Sequence, residues 1–255
     1  MFRHGSTDRM TSQPPRAQDG WAYFLDVDGT LIPHCKVVED AQPTLRLLAL
    51  LRTLTQNSPV ALISGRRVCD LQALFPDLPL TLVGQNGLEG LMTDGRSWRQ
   101  RTFSTPLQMG LRTRLLALQN IYPHMGIEDK GLMLTLHCSL IPIHYKNTNL
   151  PARLRALIRK CLQLAPQTLT LGWGKTGVDV MPGRFGKGQA VSWLLCDSPF
   201  SGKRPVFIGD DWADESAFLE VIQRHGIGVK VGSGQTAARY RLESEQEVHR
   251  WLESR

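Results

Sequence analysis

The sequence predicts an α/β fold, a parallel sheet flanked by helices and interrupted by an inserted α+β unit, and three observations predict it. Short apolar runs of strand length recur with helical patterns between them, as at Trp21-Ala22-Tyr23-Phe24-Leu25 and Pro59-Val60-Ala61-Leu62-Ile63. Continuous runs of this kind mark strands buried on both faces, and a strand, helix, strand rhythm gives right-handed parallel crossovers. The middle of the chain breaks the rhythm with paired antiparallel patterns, and the parallel pattern returns towards the C-terminus.

After the first strand, Asp40 precedes Pro43 and a leucine-dense helix through Leu54, with a cap and an early proline as helix starts require. The run 59–63 is the second strand, and Ser64-Gly65-Arg66 opens a helical pattern from Val68 to Phe75. Leu80 to Val83 is the third strand, ending at Gly84-Gln85-Asn86-Gly87. Asp94-Gly95, flanked by Leu91-Met92 and Ser97-Trp98, signals a hairpin. Leu107 to Gln119 and Pro151 to Leu164 read as helices, and Gly126 to Asp129 pairs with Leu132 to His137 across a Lys130-Gly131 turn. Strands are expected at Thr168 to Trp173 and Val178 to Val180. Helix Lys187 to Leu195, strand Pro205 to Gly209, helix Ala213 to Gln223 and strand Ile227 to Val229 complete the pattern. Residues 1–20, with several Arg and Pro and no apolar centre, read as a flexible leader outside the fold. Core segments 21–98 and 178–255 are then expected to bracket an insertion at 99–177.

With 255 residues, 42% hydrophobic and 21% charged, the chain suffices for one large domain or two modest ones. No apolar run approaches the roughly 18 residues of a membrane span. Five cysteines without a Cys-x-x-Cys pair, and odd in number, argue against a disulfide framework and for a reducing cytoplasm. The +7 formal charge is dispersed rather than interleaved with aromatics, which favours a small anionic substrate over nucleic acid. A monomer or weak homo-oligomer, with no membrane partner, is the expected state.

Chemistry concentrates where expected strands end. Asp26-Val27-Asp28-Gly29-Thr30 follows the first apolar run, and two carboxylates at that spacing converge through the side chains or through the turning backbone. Placed together they repel unless a cation lies between them, and hard oxygen donors suit Mg²⁺. A calcium loop would need Glu at its twelfth position, which is Val37. Ser64 follows the second strand, where its hydroxyl either receives a phosphate oxygen or caps a helix. Lys187 lies between Gly186 and Gly188, suited to an anion. A P-loop fails on spacing, because Met181 and Gly188 occupy its required Gly and Ser or Thr positions. Gly209-Asp210-Asp211 follows a third apolar run, with Asp214-Glu215 opening a helix.

In order and placement, these four signals resemble the haloacid dehalogenase superfamily of phosphotransferases. The resemblance implies a Rossmann-like parallel-sheet core with an inserted α+β cap domain. It implies Asp26 as the nucleophile that forms an aspartyl-phosphate and Asp28 as the acid and base. Ser64 and Lys187 would then bind the phosphoryl group. Mg²⁺ would be held by Asp26, the Asp28 carbonyl and Asp210, with Asp211 or Asp214 in support. From Trp21 to Leu252 the chain further resembles trehalose-6-phosphate phosphatases. The segments that carry this are 60–66, Gly87-Leu88-Glu89, Ile127 to Gly131 with His137, 209–215 and 228–234. That resemblance implies a cap whose Glu128, Lys130 and His137 bind sugar, with Thr30, Gly65, Arg66 and Glu89 also near substrate. Carboxylates accept from hydroxyls and amine or imidazole donates to them, so these residue types suit a sugar. Glu89 either accepts a sugar hydroxyl or pairs with an arginine. The chain departs from the family pattern at Cys138 and Ser139, where Tyr and Arg are usual, at Gly186 and at Ala213. Phosphatases of sucrose 6-phosphate or mannosyl-3-phosphoglycerate, and a non-catalytic sugar-phosphate regulator, are the alternative readings.

Overall fold

The computed structural model describes residues 12–34, 41–100, 110, 112–117, 126–137, 156, 169–173, 177–182 and 185–255. Its main sheet has eight strands in the order β12-β11-β10-β1-β2-β3-β4-β5. These are β1 Ala22–Leu25, β2 Val60–Ile63, β3 Thr81–Gly84, β4 Glu89–Leu91, β5 Ser97–Arg99, β10 Pro205–Gly209, β11 Ile227–Val231 and β12 Tyr240–Leu242. Pairing is parallel from β12 to β3 and antiparallel for β4 and β5.

The central strands are buried end to end, and their alternate side chains feed two layers. Tyr23 and Leu25 join a cluster with Leu47, Leu51, Leu54 and Leu252, while Ala22 and Phe24 join another with Ala61, Phe200, Phe207 and Phe218. Helices α1 Leu45–Asn57, α2 Val68–Leu74 and, at the C-terminus, α5 Glu245–Glu253 supply the first layer. Helices α3 Lys187–Leu194 and α4 Glu215–Gln223 supply the second. Fully burying each large apolar side chain stabilises the fold by roughly 1.5–3 kcal/mol, which explains why unalternating apolar runs became central strands.

From β1 the chain proceeds outward to β2 and β3, and it later returns on the other side as β10. The strand order therefore reverses between β1 and β10, and the crevice at their carboxyl ends is where open parallel sheets gather ligands. Asp26 and Asp210 are the residues that follow these two strands.

A second sheet has the order β6-β7-β9-β8, with β6 Gly126–Asp129, β7 Leu134–His137, β8 Leu169–Trp173 and β9 Gly177–Pro182, all antiparallel. This corrects the expected end of the insertion at 177. Val178-Asp179-Val180 pairs with β7 on one side and β8 on the other, so it belongs to the inserted sheet. Val178 and Val180 are buried while Asp179 between them is half-buried, the alternation of a one-sided antiparallel strand. The small sheet meets the core through Leu132, Met133 and Met181, which are buried with Leu88.

The expected leader is also corrected in its second half. Ala17 is buried in the core, Ser12 bridges Tyr240, and Trp251 Nε1 donates to the Pro15 carbonyl at 2.9 Å. Residues 12–20 therefore pack along the main domain. Strand β12 and helix α5 are additions to the expected elements, and the expected Ala213 start of α4 is a 3₁₀ turn, Trp212–Asp214. The expected cap Asp40, the helix at 151–164 except 156, Cys35, Cys138, Ser139 and Cys161 lie outside the described residues, while 112–117 within the other expected helix is helical. Thr44 caps α1 instead, accepting from Leu47 N at 3.2 Å.

Helices α3 and α4 cross closely at Gly188, where any Cβ would collide with the Ser216 carbonyl. Gly188→Ala is therefore expected to cost about 1–3 kcal/mol by overpacking. Thermal unfolding followed by circular dichroism should show a lower midpoint, and an unchanged one would contradict this packing.

Candidate active site

A buried ammonium organises the crevice. Lys187 is the first residue of α3 and is 3% exposed; its Nζ donates to Asp26 Oδ1 at 2.6 Å and to Asp214 Oδ1 at 2.7 Å. Asp26 arrives from the end of β1, with its own N–H bonded to the Ile208 carbonyl at 3.0 Å, and so is locked to β10. Asp214 arrives from the 3₁₀ turn after β10, where Asp211 and Asp214 form a reciprocal capping box. One Asp214 oxygen accepts from Asp211 N at 2.9 Å and the other holds Lys187. Asp210, 1% exposed, contacts His34 Nε2 through Oδ2 at 3.0 Å.

Carboxylate oxygens of Asp26, Asp210 and Asp214 all lie within 4.8 Å of one another. Burial pushes the Asp26 carboxyl well above the usual carboxylate range; Lys187 opposes the shift, and Asp214 and Asp210 add to it. Asp214 is raised for the same leading reason, burial, again against Lys187. Burial also works against the Lys187 ammonium, but the two carboxylates outweigh it and push its pKa up. The cluster is thus short of positive charge even with Lys187 in place. An all-oxygen, buried donor set of this kind fits a hard divalent cation such as Mg²⁺. Gly29, at φ +81°, keeps the approach open, since a Cβ there would strike Asp210 and His34.

Not every expected residue joins the cluster. The Asp28 side chain turns to Arg66, whose guanidinium forks onto both its oxygens at 2.7 and 2.6 Å. The Asp211 carboxylate accepts from the Trp212 N–H at 2.7 Å, and the acid that clusters with Asp26 and Asp210 is Asp214. Thr30 is buried and its hydroxyl points to Asp26 Oδ2 at 3.4 Å. Ser64 is buried at the end of β2, and its hydroxyl accepts from Arg66 N at 3.1 Å. It does not cap a helix, because α2 starts only at Val68 and takes its capping acceptor from Glu89 Oε1, 2.9 Å from Val68 N. Glu89 also lies 3.9 Å from Arg99, so its contacts are with protein groups.

The hairpin residues assemble as a group. His137 Nε2 and Glu128 Oε2 are 2.8 Å apart, and Lys130 Nζ is 3.7 Å from the same oxygen. The hydrogen bond to His137 holds the Glu128 carboxyl below its ordinary value, against partial burial and with help from Lys130. Lys130 Nζ also donates to the Gly65 carbonyl at 3.1 Å, one residue from Ser64. The hairpin therefore touches the loop that carries the phosphate candidates.

Sequence reasoning missed several residues here. Lys230 sits in the wholly buried β11, and its Nζ binds the Asp210 carbonyl. A lysine inside an apolar strand was the available signal. Asn86, at φ 57°, donates to Asp179 Oδ2 at 2.9 Å, and Asp179 Oδ1 accepts from Thr135 at 2.8 Å, so core and small sheet are joined there. His34 gave no signal beyond lying eight residues after Asp26.

A family model described as trehalose-phosphatase matches residues 24–246. The chain is 33% identical over 245 residues to the trehalose-6-phosphate phosphatase of Escherichia coli (strain K12), covering 95% of this chain and 89% of that one. The C-terminal domain of the C. albicans trehalose-6-phosphate phosphatase superposes with a TM-score of 0.80 at 20% identity, covering 92% of this chain and 91% of that one. A haloacid dehalogenase-like hydrolase from B. subtilis superposes with a TM-score of 0.63 at 15% identity, covering 91% and 98%.

Replacing Lys187 by Ala strands buried carboxylates without their cation, an expected loss of about 3–5 kcal/mol. Acids whose folded pKa is raised cost stability above that pKa, and the cost is relieved as pH falls through it. The Lys187→Ala penalty should therefore be largest at neutral and higher pH and shrink on acidification. Chemical denaturation across pH checks this, and a penalty that grows on acidification would contradict it.

Proposed function

The chain belongs to the trehalose-phosphatase family and is a phosphoric monoester hydrolase, and from that premise we propose that it hydrolyses trehalose 6-phosphate to trehalose and phosphate through an aspartyl-phosphate on Asp26. The observation that carries this reading is the contact of Lys187 with Asp26 in a buried acidic cluster, with a hairpin bearing Glu128, Lys130 and His137 that reaches the Gly65 carbonyl beside Ser64.

In the proposed first step an Asp26 carboxylate oxygen forms a bond to phosphorus as the bond from phosphorus to the sugar oxygen breaks. Asp28 gives its proton to that departing oxygen. In the second step a water oxygen bonds to phosphorus, Asp28 takes the water's proton, and the bond from phosphorus to Asp26 breaks to release phosphate. Splitting one displacement into two lowers each barrier. Arg66 forks onto both Asp28 oxygens, so the proposed first step requires Asp28 to turn from that fork towards the departing oxygen. Lys187 and the Ser64 hydroxyl would offset negative oxygens on the phosphoryl group, and Thr30 orients Asp26.

Mg²⁺ held by Asp26, Asp210 and Asp214, and by the Asp28 carbonyl, would neutralise the charge that otherwise repels a carboxylate from a phosphate dianion. We read the inserted unit, now ending near Pro182, as a cap that presents Glu128, Lys130 and His137 to the sugar and closes over it. Among the described residues no helix is long and apolar enough to cross a membrane. We further propose a cytoplasmic monomer or weak homo-oligomer with no nucleic-acid or membrane partner.

Phosphate release across a panel of sugar phosphates tests the substrate. Trehalose 6-phosphate should be turned over best, and efficient turnover of another sugar phosphate beside negligible turnover of this one would overturn the assignment. Asp26→Asn should lower kcat at least about a thousandfold while leaving the fold intact. Saturating Mg²⁺, at about a hundred times its Kd, should stabilise the wild type by about 2.7 kcal/mol, read as a rise in melting temperature. Asp210→Asn should lose that rise. Protons compete for the same oxygens, so the rise should shrink as pH falls through the raised pKa of Asp26. A Mg²⁺ effect that persists in Asp210→Asn would place the ion elsewhere.

A further inference from the structure

Two consecutive residues with side chains, Gln85 and Asn86, have left-handed backbones at φ 49° and 57°, and both are buried in the turn that follows β3. A side chain disfavours this conformation, so it persists only where the surroundings hold it, and such places gather at functional sites. Two neighbours hold it here, the loop that carries Ser64 and the small sheet.

The backbone of the turn binds the loop. Gln85 N donates to the Arg66 carbonyl at 2.7 Å, and Asn86 N donates to the Ser64 carbonyl at 2.9 Å. With Lys130 Nζ on the Gly65 carbonyl, three successive carbonyls of the loop have donors, two of them from this turn. The side chains of the same two residues bind the small sheet. Gln85 Oε1 accepts from Leu132 N at 3.2 Å, and Asn86 Nδ2 donates to Asp179 Oδ2 at 2.9 Å. The Thr135 hydroxyl holds the other Asp179 oxygen at 2.8 Å. At Gly87, the third residue of the turn, a Cβ would come within 3.1 Å of the Gly186 carbonyl, so the turn also abuts the residue before Lys187.

Position 86 therefore carries three requirements at once: a left-handed backbone, an N–H for Ser64 and a side-chain donor for Asp179. Asparagine meets all three, because it tolerates this conformation better than most residues and its short amide donates. We propose that Asn86 is a positioning residue for phosphoryl transfer, which fixes the Ser64 loop only while Asp179 of the docked small sheet holds its amide. The docked arrangement alone supplies Asp179, so it alone favours the ordered loop. The step from loop to chemistry rests on the reading of Ser64 as a phosphoryl binder. Misplacing a group at the reacting centre by about 1 Å costs up to about a hundredfold in rate.

The test uses the full chain in saturating Mg²⁺ with the sugar phosphate it turns over best. Asn86→Gly keeps the left-handed backbone and the N–H and removes only the amide, so the variant should fold. Its kcat should fall at least about tenfold, with KM within about threefold of the wild type. Asn86→Asp sets a second carboxylate against Asp179 and should be slower still. Combining it with Asp179→Asn reverses donor and acceptor while leaving an oxygen for Thr135, and kcat should return to within about threefold of the wild type. Asp179→Ala leaves position 86 intact, and exchange of the Asn86 amide hydrogen, followed by NMR, should speed at least about tenfold relative to the amides of β2. An unmoved kcat in Asn86→Gly, a double variant no faster than Asn86→Asp, or unmoved exchange in Asp179→Ala would each overturn the proposal. Loss of kcat in Ser64→Ala beside an unmoved kcat in Asn86→Gly would overturn it and leave the reading of Ser64 standing. An unmoved kcat in Ser64→Ala would overturn both.

Discussion

The ammonium of Lys187, bracketed by Asp26 and Asp214, is the contact around which the crevice is arranged. Burying it is tolerable only because two carboxylates meet it, and burying them is tolerable only because it is there. The constraint reaches outward into the fold. Gly188 must lack a side chain so that α3 can approach Ser216, and the capping box of Asp211 must turn Asp214 inward. The pairing of β1 with β10 sets Asp26 beside Asp210. Each of these features limits where the ammonium can sit, and together they fix it beside Asp26, the proposed nucleophile.

The second organising feature is the seam between the two sheets. Lys130 reaches the Gly65 carbonyl, Gln85 takes the Leu132 N–H, and Asn86 takes Asp179. Beneath these polar contacts Leu88 packs with Leu132, Met133 and Met181. The loop of Ser64 and Gly65, which follows β2 beside β1, is therefore held by the hairpin. Under the proposed reading, a small sheet docked in this way would link recognition of the remote part of a substrate to the geometry at phosphorus, which is how binding energy is turned to rate.

Much of this was legible in the chain because buried parallel strands write themselves as unbroken apolar runs. Tyr23-Phe24-Leu25 and Val206-Phe207-Ile208 are of that kind, and the acids directly behind them mark the crevice. The end of the insertion was misread because Val178-Asp179-Val180 is short, and only its alternation distinguishes it from a core strand. Local sequence also could not separate Asp211 from Asp214, since both are acids at a helix start and only the direction of the turn sends one inward. The core partners of the small sheet, Gln85 and Asn86, were hidden for a related reason. They sit in a left-handed turn whose role depends on small-sheet partners, Leu132 and Asp179, that lie 47 and 93 residues further along the chain.

The central claim, that Asp26 carries the phosphoryl group between substrate and water, is most directly tested by rapid acid quench of a single turnover. The substrate should carry a radioactive phosphoryl group, and the quenched protein should be digested and its labelled peptide located. The expected result is transient, hydroxylamine-labile label on the peptide containing Asp26, decaying as free phosphate appears. Free phosphate appearing with no label on that peptide at any quench time would contradict the account.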